Sequence, residues 1–68
     1  MLASYRRFRD RTVRIHTNAG TSVEGVLESV SVDYLILRGA SDVRPEGSVE
    51  LEGEALVPRD SIDYLQAL

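Results

Sequence analysis

The chain has 68 residues, no cysteine, one histidine and a net charge of −3. That allows one domain, excludes disulfides and thiolate metal sites, and leaves too few imidazoles for a histidine-rich metal centre. A domain this short buries only about 60% of its unfolded surface, so a lone core is marginal and a partner subunit is the remaining common support.

Residues Leu2 to Asp10 predict a short helix. Leu2, Tyr5 and Phe8 recur at three-to-four spacing, with Arg on the opposite side. Ser4 is a candidate N-cap that would shorten it. A helix of this length cannot stand alone, so Tyr5 and Phe8 are expected to cover an open end of the barrel.

A first strand is expected at Thr12–Thr17, with Val13 and Ile15 facing one way and Arg14 and His16 the other. Asn18-Ala-Gly20 is a hairpin signal. The second strand spans about Thr21 to Val30 and changes phase near Gly25. Val23 and Leu27 share one phase, and Val26 and Val30 the other, which predicts a sharp bend or bulge. Ser31 to Asp33 form a turn. Tyr34-Leu-Ile-Leu37 has no polar face and predicts a central strand covered on both sides.

Gly39 to Gly47 is dense in structure breakers and reads as a loop. Ser48 to Val57 reads as the fourth strand, with Gly53 marking a bulge or a break into two pieces. Pro58 to Ser61 is a tight turn, and Ile62 to Leu68 is the fifth strand. The expected architecture is mainly β: a small, closed, strongly bent antiparallel barrel of five strands (about 12–68) behind a short N-terminal helix (about 2–10), one domain over 1–68.

Charge is unevenly spread. Arg6, Arg7, Arg9, Arg11 and Arg14 lie in the first fourteen residues against Asp10 alone; beyond them Arg38, Arg44 and Arg59 face ten carboxylates. All eight basic residues are Arg. Codon bias accounts for that, and so does a use of guanidinium forks on phosphate or carboxylate. No apolar run approaches the ~20 residues of a membrane span. A soluble, cytoplasmic protein without a membrane partner is expected.

The stretch Gly25-Val-Leu-Glu-Ser-Val-Ser-Val-Asp-Tyr-Leu-Ile-Leu37 resembles the first motif of the Sm-like (LSm, Hfq-like) family. Val57-Pro-Arg-Asp-Ser-Ile62 resembles the second, and the resemblance covers nearly the whole chain. It implies a cyclic homo-oligomer of six or seven subunits, in which the fourth strand of one subunit pairs with the fifth of the next. It also implies RNA as a partner. The family's base-reading groups carry over poorly. At the positions of its turn Asp and strand-three Asn stand Ser31 and Leu35. Asp33, with Tyr34 beside it, replaces the Hfq aromatic that stacks a uracil. Arg59 keeps the basic residue of the second motif, but Asp60 replaces the His that follows, and Pro58-Arg59 stands where Sm proteins have Arg-Gly.

The candidate nucleic-acid contacts are therefore Arg6, Arg7, Arg9 and Arg11, repeated around a ring, together with Asp33, Tyr34 and Arg59 lining a pore-side pocket. The bland alternatives are a solvated arginine face, ring-to-ring stacking, and a turn salt bridge or subunit contact at Arg59. His16 reads as a surface or interface histidine. Glu50, Glu52 and Glu54 share one strand face as a charged edge that deters mispairing, or as ligands for a hard cation. No nucleophile–base pair or phosphate loop is present, so neither catalysis nor a cofactor is expected. Two functions remain in view: binding RNA or another single-stranded nucleic acid, and a structural or protein-interaction scaffold in a bacterial or phage assembly.

Overall fold

Alternating apolar residues at Val13, Ile15, Leu27, Leu35 and Leu37 meet in one core, and the strands that carry them wrap around it. The computed structural model describes residues 4–68. They form a one-turn 3-10 helix (Tyr5–Phe8), then β1 (Thr12–Thr17), β2 (Ser22–Val30), β3 (Tyr34–Arg44), β4 (Gly47–Glu50) and β5 (Ala55–Pro58). A second 3-10 turn, Arg59–Ser61, leads into β6 (Ile62–Ala67). All pairings are antiparallel, in the order β4-β3-β2-β1-β6, with β5 also on β3.

Val13, Ile15, Leu27, Leu35, Leu37 and Ala40 are fully buried, and Val57 nearly so. Each of the larger side chains contributes about 1.5–3 kcal/mol by leaving water. Tyr5 and Phe8 pack on this cluster, as their spacing predicts. The segment that carries them is shorter than expected: one 3-10 turn rather than a helix reaching Asp10. Leu2 lies outside the described residues. Ser4 holds the N-cap position without a side-chain capping bond. The chain leaves the turn at Asp10, whose φ is +67°. The Asp10 N–H donates to Leu27 O at 2.8 Å, and the Leu27 N–H donates to Arg11 O at 3.0 Å. These sheet-like bonds capture backbone that a longer helix would have used.

The bend anticipated in β2 has two sources. Glu24 pairs with Ser41 and Val26 with Arg38, so Gly25 faces two residues of β3, Gly39 and Ala40. Gly39 takes a φ of +58° there. Leu27 then pairs with Leu37 and Ser29 with Ile36, so the extra residue of a second bulge is Glu28 on β2. The change of phase belongs to this second bulge, beyond Gly25.

Two further expectations change, and one open alternative is decided. Gly39 to Gly47 is mostly strand: β3 continues to Arg44, and only Pro45 and Glu46 turn the chain before β4. Pairing with β2 on one side and β4 on the other overrides the breaker composition. β3 is fully covered on one face only: Leu35 and Leu37 are buried, whereas Tyr34 is 36% exposed and Ile36 half-buried. The fourth strand is broken in two, the second of the options raised by Gly53. β4 lies along Ser41 to Arg44 and β5 along Tyr34 to Leu37. Between them the Leu51 N–H reaches Ala40 O at 2.9 Å, and Gly53 adopts a φ of +73°.

The sheet does not close on itself. Among the described residues β5 pairs only with β3 and β6 only with β1. The three-residue turn Arg59–Ser61 hands the chain across to β1 instead of back along β5. Two strand edges are left open: β4 with β5, and β6. The first exposes Val49, Leu51 and Leu56, and the second Tyr64.

Candidate nucleic-acid interface

Three turns converge at one end of the barrel. The β2–β3 turn is held by its own serine. Ser31 Oγ accepts from the N–H groups of Asp33 (3.3 Å) and Tyr34 (3.1 Å), and the Ser31 N–H donates to Tyr34 O at 2.9 Å. This leaves Val32 at the apex, 78% exposed.

Arg59 ties the other two turns to it. Its N–H donates to Asp33 O and its Nη1 to Ser31 O, both at 2.8 Å. Its guanidinium lies 4.9 Å from the centre of the Tyr5 ring, a cation–π contact worth about 0.5–2 kcal/mol depending on exposure. A cavity of about 190 Å³ opens between Ser4, Tyr5 and Arg6, the residues Val30, Ser31 and Val32, and Arg59. A second, more open depression adjoins it, lined by Val32, Asp33, Pro58, Arg59 and Asp60.

Arg6 and Arg59, read in the sequence as separate candidates, therefore meet at one cavity. Asp33 lies in the neighbouring depression. Tyr34 lines neither; it stands on the outer face of β3 opposite Pro58. Arg7 and Arg11 both lean on Phe8, with guanidinium carbons 5.5 and 5.6 Å from its ring centre. Arg9 is exposed. Asp10 points instead toward Arg38, at 3.8 Å, and Arg14 pairs with Glu24 at 2.8 Å. Among the described residues no carboxylate pairs with Arg6, Arg7, Arg9 or Arg11. Of these four, Arg6 lines the cavity beside the exposed Val32.

Tyr5, Ser31 and Val32 are parts of this site that composition did not single out. The available signal was an aromatic inside an arginine run, but its contact with Arg59 joins opposite ends of the chain. Leu35, at the position of the family's Asn, is fully buried and offers a base nothing. His16 is engaged on both ring nitrogens, with Ser22 Oγ (3.0 Å) and Gln66 Oε1 (2.6 Å), and stacks on Tyr64 at 4.3 Å. Among the described residues no group of three His, Asp or Glu side chains is placed to hold a metal ion. No described helix is long and apolar enough to cross a membrane.

No family model and no curated protein matches the sequence. Solved structures do match. A heptameric archaeal Sm protein superposes with a TM-score of 0.83 at 14% identity, over 93% of each chain. The chain has the Sm-like fold. The Pyrococcus abyssii Sm protein, solved in complex with a uridine heptamer, gives 0.83 at 17% identity over 93% of this chain and 90% of its own. The P. aerophilum SmAP1 heptamer gives 0.85 at 14%, covering 100% and 97%. A chain of the NatC complex bound to CoA gives 0.81 at 19%, covering 100% and 88%. The two candidate motifs lie at the β2–β3 turn and at the turn before β6.

Proposed function

We propose that the chain closes into a ring of like subunits and binds single-stranded RNA, without catalysis, on the face where Arg6 and Arg59 meet. Two of its structural neighbours are heptamers, which favours seven copies over six. Ring closure would pair the β5 edge with a neighbour's β6, covering Leu56 and Tyr64, which are 58% and 52% exposed in the single chain. That supplies the burial that a 68-residue core lacks.

The observation that carries RNA binding is the cavity between Tyr5, Arg6, Val32 and Arg59, where two guanidinium groups meet an aromatic ring and an exposed valine. It presents guanidinium donors for phosphate and two apolar surfaces for a base. It presents no side-chain amide to read one. Binding should therefore tolerate sequence. In a fluorescence anisotropy titration, oligo-U and oligo-A should bind alike and duplex DNA more weakly. Two phosphates neutralised per bound segment give a slope of about −1.4 in log affinity against log salt. No salt-dependent binding at low ionic strength would end this reading.

The scaffold reading draws on Asp33 and Asp60. Both are exposed beside Arg59 in the second depression, where they repel phosphate. The likeness to a chain of the NatC complex is consistent with it. Purification with a specific protein and without nucleic acid, seen first in the ultraviolet absorbance ratio, would favour that function.

A further inference from the structure

The open edge formed by β4 and β5 spans positions 47–58, whereas β6 has six residues. A neighbour's β6 laid on β5 leaves β4 uncovered. That step rests on the proposed ring; the open edge itself does not, for among the described residues β4 pairs only with β3.

The edge has a definite chemistry. Leu51 turns its N–H inward to Ala40 O. By the alternation of an antiparallel ladder, Val49 and Gly47 also bond toward β3, and the backbone groups of Ser48 and Glu50 point away from the sheet. Side chains alternate too. Val49 (44% exposed) and Leu51 (39%), the latter still bonded to Ala40, share one face, with Ser48 and Glu50 on the other; Glu52 lies in the bend that follows. Arg44, the nearby cation, is held by Asp42 at 2.9 Å. Glu46, Glu50 and Glu52 have no ion pair among the described residues. Pairing β4 with β4 of another copy would set these carboxylates near one another, which is destabilising. A strand with basic residues on the glutamate face and apolar residues on the Val49 face meets every group the edge presents.

We propose that β4 takes up an extended basic segment of another protein as an added strand. Main-chain bonds to Ser48 and Glu50 hold the segment, the Glu50 carboxylate selects its charge, and Val49 and Leu51 receive its apolar side chains.

The test uses a labelled synthetic peptide of alternating Val and Arg or Lys, titrated by anisotropy into the full chain, with the subunit number followed by native mass spectrometry. The basic peptide should bind, and its counterpart with Glu in place of Arg and Lys should not. N-methylation of the amides that face β4 should abolish binding. Glu50→Lys should weaken it about fivefold, as expected for one exposed charge pair reversed. Ser48→Pro removes an outward N–H without touching the β3 ladder, and should abolish binding while circular dichroism stays unchanged. Equal binding of the N-methylated peptide would mean charge attraction alone and would overturn the proposal. So would unaltered affinity in Glu50→Lys, or release of subunits by the peptide, which would place β4 in the ring contact. A chain that is monomeric from the start but binds the peptide as described removes the ring and leaves the added strand standing.

Discussion

Gly25→Ala is the sharpest test of how the two bent strands fit. Gly25 is buried and its φ is not positive, so alanine can adopt its backbone conformation. The obstacle is space. A Cβ at this position would lie 3.0 Å from Arg38 O, 3.1 Å from Ala40 Cα and 3.3 Å from Ala40 Cβ. Two of those three atoms are backbone, fixed by the bulge at Gly39 and Ala40, and cannot swing aside. Overpacking of this kind costs about 1–3 kcal/mol. Stiffening the unfolded chain returns about 0.4–1 kcal/mol. The net loss is about 1–2 kcal/mol, out of a total near 3–10 kcal/mol for a domain this size. At about 4–8 °C per kcal/mol, the melting temperature should fall by roughly 5–15 °C. The assay is thermal unfolding by circular dichroism at one fixed protomer concentration, because an oligomer's stability depends on concentration. Adding Ala40→Gly removes only the Cβ contact and should recover little. If Gly25→Ala melts with the parent, or Ala40→Gly restores it fully, the close approach of the β3 backbone is not what requires glycine there.

Leu56→Glu and Tyr64→Arg should each shift native mass spectra from the ring toward monomer, since each sets a charge on an edge proposed to be covered. A mixture of the two should partly restore the ring if the edges meet in pairs. Arg59→Ala should weaken single-strand binding by about tenfold or more, and Arg59→Lys should recover only part of it, because lysine cannot both bond Ser31 O and stack on Tyr5. The Glu54 carboxyl is raised above its ordinary value, chiefly by a hydrogen bond with Glu28 and by the charge of Glu28. A raised carboxyl stabilises the fold in its protonated form, so that contribution is present in acid and lost as pH rises through the raised value. Glu54→Gln should then match the parent in acid and melt slightly higher at neutral pH, as read in paired thermal scans.

The strands that could be read directly were those in which side chains alternate between core and water. In β1, Val13 and Ile15 are buried while Arg14 and His16 are half-buried, and the boundaries Thr12 and Thr17 fall where the alternation places them. The stretch from Gly39 to Arg44 hid its structure because Gly, Ser and Asp favour turns locally. The bonds that make it strand come from β2 and β4, which one window of sequence does not contain. The N-terminal segment failed for a related reason. Its apolar spacing is helical, but Asp10 and Arg11 bond to Leu27 and end the helix after one turn. The one-sided cover of β3 was hidden too, because an unbroken run of Tyr, Leu, Ile and Leu does not say whether a second layer exists.

At the site, residue type was legible and combination was not. Arg59 stood out because it sits in a turn motif, and the arginines near the N-terminus because they cluster. Nothing in either segment indicates that the Arg59 guanidinium would lie over the Tyr5 ring, beside the cavity that Arg6 also lines, since that contact depends on the whole barrel. The same geometry bears on recognition. Ser31 spends its hydroxyl on the turn, Leu35 is buried, and Arg59 uses one nitrogen on Ser31 O. The groups left to face a ligand in the cavity are then guanidiniums, an aromatic ring and Val32, with Asp33 and Asp60 in the depression beside it. Guanidiniums attract any phosphate, and the ring and valine accept any base face. Under the RNA binding proposed above, such a site would gain affinity from chain charge and stacking, and would discriminate between strand and duplex by whether a base is free to enter, not by which base it is.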